Sequence, residues 1–233
     1  MAQRTEQDEA RRTPLSRERV LRAAVAHADR AGIDALSMRG LAQELGVVPM
    51  ALYKHVANKE QLLDGMVEFI VGEIDGDNGD NAGGDWRAAV RSRILTTRRA
   101  LLRHPWASRV IESRSAPTPG VLGYLDAVIG LFRAGGLSAD LAHHAMHALG
   151  SRVWGFSQEL FPAPPGGGGA PSPAEAAALA AAFPHIAEVV AARPHDRGSV
   201  VGPGCDDQFE FEFALDLLLD GVERLHRAGW SST

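Results

Sequence analysis

Between Ser37 and Lys59 the sequence reads SMRGLAQELGVVPMALYKHVANK, gathering an arginine, two lysines, a histidine, a tyrosine and a serine. On a nucleic-acid duplex, such cations and hydroxyls position a protein on phosphate oxygens, whereas side chains aimed at base edges read sequence. Reading base edges needs a helix that fits a major groove, so the spacing of the residues around these groups matters. Ala42 is small enough to let two helices approach, and Gly46 permits a left-handed turn between them. Val47, Leu52 and Val56 fill a small core. This is the form of a helix-turn-helix, in which two helices meet at a steep angle across a tight turn. Pro49, Met50, Ala51, Tyr53, Lys54 and His55 are then the candidates for its exposed face, and not all of them can point outward at once.

Two other places carry reactive residue types. His143 and His147 are spaced i, i+4 and could hold a metal from one helix face, but no third ligand joins them, so they read as packing or hydrogen-bonding groups and no metal is assigned. Cys205, the single cysteine, lies in the Gly/Pro-rich stretch HDRGSVVGPGCDD; it cannot form an internal disulfide and reads as an exposed thiol. The sequence has no P-loop, dinucleotide fingerprint, nucleophile elbow or zinc-protease motif. No catalytic residue and no cofactor are therefore assigned, and an enzyme is not expected.

The elements that must position the Ser37–Lys59 window follow from periodicity, which gives helix after helix and an all-α fold. Ser16 is a plausible N-cap for a helix through Val20, Leu21, Ala24, Val25 and Ala28 to Gly32. Ser37 caps the second helix, which Gly46 ends, and Pro49 suits the first turn of a third that presents Leu52 and Val56. Asn58 and Gln61 read as a capping box for a fourth, through Leu62, Leu63, Met66, Phe69 and Ile70 to Ile74. The segment 75–85, DGDNGDNAGGD, reads as a solvated loop. Helical patterns cover about 86–104, 105–113, 120–134 and 139–160. The run 162–173, PAPPGGGGAPSP, reads as a flexible linker, after which Ser172 and Glu175 cap an Ala-rich helix. At the end, Phe209, Phe211 and Phe213 alternate as in a strand. Yet Phe211, Leu215, Leu218, Val222 and Leu225 continue at 4-3-4-3 spacing, with Phe213 and Leu217 widening the stripe, so a helix is expected, its wide apolar stripe facing either the chain's own core or a second subunit.

With 233 residues, 45% of them apolar and 23% charged, the chain can bury a core. No apolar run reaches the roughly 18 to 20 residues of a membrane helix. The first residues lack the apolar centre of a secretory signal, so a cytoplasmic location is expected and no membrane partner. The net charge is −5, yet residues 1–60 hold ten Arg/Lys against eight Asp/Glu, and the remainder fourteen against twenty-one. The acidity does not exclude a polyanionic partner, because only the local field of the contacting segment meets it.

Residues 16–75 resemble the N-terminal domain of the TetR family of bacterial transcriptional regulators, on the run Leu52-Tyr53-Lys54-His55-Val56 followed by Asn58-Lys59-Glu60. Phe209–Leu225 resembles the last helix of the branch nearest the tetracycline repressor, so the resemblance covers most of the chain. It implies a flexible arm over 1–15, a DNA-binding domain over 16–60, and an effector-binding and dimerisation domain over 61–233. Carried over by position, Arg39 falls at a base edge, where its fork pairs with guanine O6 and N7. Pro49, Met50 and Ala51 fall against bases, while Ser37, Tyr53, His55 and Lys59 fall at phosphates and Lys54 suits either role. The bland alternatives are a solvated salt bridge from Arg39 to Glu44 or Asp34, and a place for Tyr53 at the edge of the small core.

The resemblance further implies a homodimer that reads a palindromic double-stranded operator as a repressor and is released by a small-molecule effector. Helices 139–160 and 207–227 would form the dimer bundle, with Leu149, Val153, Phe211, Leu215, Leu218 and Val222 at the interface. The chain departs from the tetracycline-binding members: their metal-ligating histidine falls at Ile111, other drug-contacting positions at Asp75, Arg93 and Thr97, and a second pocket histidine at Ser151. An apolar or aromatic effector is expected instead, among Trp106, Ile111, Leu125, Ile129, Met146, Trp154 and Phe156, residues that otherwise read simply as core. The rival reading is a helical protein-binding adaptor that has lost DNA binding.

Overall fold

The computed structural model describes residues 14–76, 84–155, 172–185, 187–188 and 207–233, and the regular elements among them are all helical. They are α1 (Arg17–Ala31), a 3-10 turn (Ile33–Ala35), α2 (Met38–Leu45), α3 (Pro49–Leu52), α4 (Lys59–Gly76) and α5 (Trp86–Arg103). They continue with α6 (Ala107–Glu112), α7 (Pro119–Ala134), α8 (Ala139–Gly155), α9 (Pro173–Ala182) and α10 (Asp207–Arg227). The terminal phenylalanine run is helical, as its longer spacing requires. By contacts the chain divides into two units, Met1–Ala142 and His143–Thr233. The boundary expected near residue 60 falls inside the first, because α4 packs against α1 on one side and against α5, α6 and α7 on others.

Helix α4 is accordingly buried around much of its circumference, with Leu62, Leu63, Met66, Val67, Ile70, Val71 and Ile74 in the core. Its Gly65 meets α1 so closely that a Cβ there would lie 2.6 Å from Leu21 Cδ2. The caps follow the local sequence. Ser16 Oγ accepts from Arg19 N–H at 3.2 Å, and Asn58 Oδ1 accepts from Gln61 N–H at 2.8 Å. The Gln61 side chain returns to Ala57 N–H at 2.5 Å, one residue before the position expected of a capping box. Asp85, read as loop, caps α5 by accepting from Arg87 N–H at 2.9 Å and Ala88 N–H at 3.3 Å. Segment 77–83 lies outside the described residues, while Asp75 and Gly76 continue α4.

In the second unit, Arg152 on α8 donates to the Glu210 carbonyl on α10 at 2.6 Å and lies 5.2 Å from the centre of the Phe211 ring. The α9 helix opens with the expected reciprocal cap between Ser172 and Glu175. Of the expected linker, only Ser172 and Pro173 are described, as that cap and the first helical residue. No helix among the described residues is long and apolar enough to cross a membrane.

Two glycines near the end of α7 set up opposite expectations. At Gly135, a Cβ would sit 2.4 Å from Trp86 Cγ, against a ring that packs 5.6 Å from Phe132. Gly135→Ala is expected to destabilise the protein by about 1–3 kcal/mol. At Gly130, mid-helix with open space around it, Ala is expected to add roughly 0.5–1 kcal/mol. Urea denaturation of the two variants checks both signs.

Candidate nucleic-acid interface

Ser37 ends an extended stretch and turns the chain into α2, its Oγ accepting from Gly40 N–H at 3.1 Å. Its hydroxyl hydrogen remains available for donation while the oxygen acts as the cap. Gly46 stops α2 in the left-handed region, at φ 68° and ψ 31°. Val47 N–H then bonds Ala42 O at 3.0 Å, which redirects the chain into α3. Leu36, Leu41, Ala42, Leu52 and Val56 are buried and close the small core, with Val47 half-buried.

Helix α3 is a single turn over Pro49–Leu52, shorter than the periodicity predicts. Pro49 fixes the first turn, but Val48 at the N-cap supplies no side-chain acceptor. Beyond Leu52, Tyr53, Lys54 and His55 form a turn closed by Val56 N–H to Leu52 O at 3.0 Å. The chain must then bend again for Asn58 to cap α4. Pro49, Met50, Tyr53, Lys54 and Lys59 are exposed, and Ala51 and His55 half-buried. Val48, which the sequence reading passed over, is 68% exposed beside Met50 at 71%. Its only signal was an apolar residue directly before the Pro49 turn.

Arg39 is exposed on α2, and neither of its nearby acids binds it. Glu44 accepts from Arg30 Nη2 at 2.5 Å and lies 2.8 Å from His27 Nδ1. Asp34 is paired with Arg109 on α6. Burial works to raise the Glu44 carboxyl, but the hydrogen bonds from His27 and Arg30 outweigh it and hold it below the ordinary carboxylate range. The Arg109 hydrogen bond and charge lower Asp34 in the same sense. Both carboxyls therefore favour the folded state above that range and lose the contribution as pH falls through their lowered values. Arg39 and Lys54 make no hydrogen bond or ion pair among the described residues. The Tyr53 ring is 45% exposed, outside the small core.

Asp34 is one of several acids through which the first turns are tied to the segment around α6. Asp29 at the end of α1 accepts from Trp106 Nε1–H at 2.6 Å, and His104 Nδ1 lies 2.8 Å from the same oxygen. His104 Nε2 is 3.2 Å from Glu73 on α4, whose carboxylate also accepts from Arg103 at 3.1 Å. Arg114, past the end of α6, donates to Glu60 at 2.6 Å and lies 3.4 Å from Asp64. Gly120 N–H donates to Glu68 at 2.8 Å. Local patterning gave no sign of these pairs, whose partners stand 30 to 77 residues apart.

Among the expected effector-lining residues, Trp106 is thus buried and engaged with α1. Ile111 and Leu125 are half-buried, and Ile129 is on the outer side of α7 with Leu122. These four lie in the first unit; Met146, half-buried, lies in the second. The Trp154 side chain and Phe156 lie outside the described residues, as does Cys205. Of the expected dimer residues, Leu149, Phe211, Leu215 and Val222 are buried, while Val153 and Leu218 are half-buried. Phe209, Phe213 and Leu217, spaced i, i+4, i+8 on roughly the opposite face of α10, are each 45–55% exposed, the two rings stacked at 6.3 Å. Helix α10 is therefore apolar on two sides, and the wide sequence stripe, which takes in Phe213 and Leu217, spans both. The rings of His143 and His147 lie 4.6 Å apart. No group of three or more His, Cys, Asp and Glu able to hold a metal occurs among the described residues.

Comparison with known proteins places this geometry. The profile of the tetR family of bacterial regulatory proteins matches residues 20–66, and that of the tetracyclin repressor-like C-terminal domain matches residues 78–226. The HTH-type transcriptional repressor DrrR1 of Streptomyces coeruleorubidus is 39% identical over 126 residues, which are 53% of this chain and 46% of that protein. The chain spans about half the length of the curated relatives it matches. A possible TetR family transcriptional regulator from Streptomyces coelicolor A3(2) is 30% identical with a TM-score of 0.68, over 90% of this chain and 100% of that one. The TetR family protein ActR of Streptomyces coelicolor, solved in complex with (S)-DNPA, is 25% identical with a TM-score of 0.65, over 92% of this chain and 100% of that one.

Trp106→Phe keeps a six-membered aromatic ring but removes the pyrrole half of the indole and with it the hydrogen bond to the Asp29 carboxylate. A loss of about 1.5–3 kcal/mol is expected, the usual value of a hydrogen bond to a charged group. The urea midpoint measures it, and an unchanged midpoint would show that the indole N–H holds nothing.

Proposed function

This chain belongs to the TetR family of bacterial regulators, and we propose that it is a homodimeric transcriptional repressor that binds a palindromic operator and leaves it when a small effector binds. The observation that carries this reading is the state of Arg39. Its two candidate acids are bound by His27, Arg30 and Arg109, so its fork is open to a guanine edge. Met50, Ala51, Pro49 and Val48 then offer apolar contact to bases, with Ser37, Tyr53, Lys54, His55 and Lys59 on the phosphates. The 16–60 segment is the DNA-binding part in function, although it shares its packing with α4 and the helices beyond. A protein acting on operator DNA works in the bacterial cytoplasm.

Self-association is supported by the outward face of α10, where Phe209, Phe213 and Leu217 present apolar area that water disfavours. A second copy of the chain offers the same face about a two-fold axis, and two-fold symmetry in the protein demands it in the operator. Release follows if the effector favours the arrangement of α4 and α6 that spaces the two heads wrongly for the operator. The acid anchors Asp29, Asp34 and Glu60 are the mechanical links through which that preference reaches the head. The effector is a small apolar or aromatic molecule held in the larger helical part.

Selection of random duplex DNA by the purified protein tests the reading: a palindromic motif supports it, and no enrichment by folded, ligand-free protein overturns it. Arg39→Ala is expected to cost about 1–3 kcal/mol of specific binding and relax one base position. Lys59→Ala should weaken all duplexes alike and reduce the salt slope by about 1. Phe213→Glu with Leu217→Glu is expected to yield monomers in sedimentation equilibrium without unfolding the chain, whereas Phe211→Glu should unfold it.

A further inference from the structure

Inside the first unit lies a polar cluster that the DNA-reading surface does not use. Arg93 on α5 is 5% exposed. Its Nη2 donates to Asp75 at 2.5 Å, and its guanidinium carbon stands 4.8 Å from the centre of the Tyr124 ring. Its Nε is buried and without a hydrogen-bond partner. Asp75, the one acid paired with it among the described residues, has a side chain 57% exposed. A buried cation is thus balanced by a carboxylate that water screens, with one donor left over, and both features raise the cost of holding the charge inside.

Tyr124 does not supply the missing anion. Burial pushes its phenol pKa up, against the opposing effect of the Thr97 hydrogen bond and the Arg93 charge, so the group stays neutral. Hydrogen counting fixes its direction. Thr97 Oγ1–H donates to the Arg93 carbonyl at 2.9 Å, so Tyr124 O–H is the donor in the 2.7 Å contact to Thr97 Oγ1. The stacked ring therefore holds the guanidinium plane without neutralising it. Ala89, Val90, Thr96, Thr97 and Ala100 share the buried face of α5 with Arg93, an apolar wall with hydroxyls, while the helix buries a second arginine, Arg98, five positions on.

We propose that Arg93 is the anchor of an anion-selective ligand site, and that the small apolar or aromatic effector carries a carboxylate or an acidic enol. The anion would accept from the Arg93 Nε–H and compete with Asp75 for the fork, in the side-by-side geometry that guanidinium and carboxylate favour. The word effector rests on the function proposed above; the binding site itself does not. Its test accordingly needs no DNA.

Binding of 2-naphthoate and of 2-naphthamide, which share a ring system and differ in charge, is measured on the full chain by titration calorimetry. The carboxylate is expected to bind about ten-fold or more tighter than the amide, the range of a hydrogen bond to a charged group. Arg93→Gln should abolish that preference, and Tyr124→Phe, which keeps the stacked ring, should retain it. Asp75→Asn frees the fork without removing the cation and should tighten 2-naphthoate alone, which keeps the idea testable if Arg93→Gln does not fold. Equal binding of the two probes, binding of neither, a preference that survives in folded Arg93→Gln, or no tightening in Asp75→Asn would each overturn the proposal. Failure here with an operator still selected leaves the repressor standing with a different ligand.

Discussion

The carboxylate of Asp29 accepts the indole N–H of Trp106 and faces the ring of His104, and through it the last turn of α1 is fixed to the start of α6. The second carboxylate on His104, Glu73, brings α4 into the same knot. A charged acceptor that is only partly exposed is held by donors rather than by area, so the geometry tolerates little drift. The placement of the helix-turn-helix follows from it. Helix α1 carries the small core on which α2 rests, and α4 receives the chain as it leaves α3. Were the knot loosened, Arg39 and the α3 turn would keep their local form but lose their fixed relation to α4.

The same economy of charge explains how an acidic chain presents a cationic surface. Each acid near α2 is engaged from behind: Glu44 by the charge of Arg30 and a hydrogen bond with His27, both on α1, and Asp34 by Arg109 on α6. The exposed ion pairs contribute little to stability by themselves. Their effect is on where charge remains unmatched, and it remains at Arg39 and Lys54. In the interior the arrangement is reversed. Arg93 is a cation enclosed among neutral groups, with its counter-charge set out in solvent, and what makes it a candidate for binding is the part of its hydrogen-bonding capacity left unused.

Much of the fold was legible because helices announce themselves locally. Ser16, Ser37, Gly46, Pro49 and Asn58 mark ends by properties of single residues, and the 3.6-residue period runs through Phe209–Phe213 despite its strand-like alternation. What was not legible depends on two partners far apart in sequence. The Asp29–Trp106 and Asp34–Arg109 pairs join segments 77 and 75 residues apart, and no window contains both ends. Periodicity likewise says that a face is apolar without saying what covers it. On α10 both sides qualified, and Phe211, Leu215 and Val222 are buried while Phe213 and Leu217 are exposed. The ring of Trp106 marks it as apolar from the sequence, but its hydrogen bond to Asp29, 77 residues away, is outside the reach of any local pattern.

Helix α3 has one turn, no side-chain acceptor at its N-cap, and a following turn closed by two backbone bonds to the Leu52 carbonyl, from the His55 and Val56 N–H groups. So few internal bonds leave it anchored by Leu52 and Val56 beneath and by little along its own axis, and short helices of this kind fray readily in water. Docking in a groove would supply the missing constraints, at the cost of the backbone freedom that the free segment retains. Recognition would then carry an entropic toll at the very residues proposed to meet the bases. A non-matching sequence would return too little enthalpy to offset it, so the looseness of the unbound turn would itself sharpen the discrimination between sites.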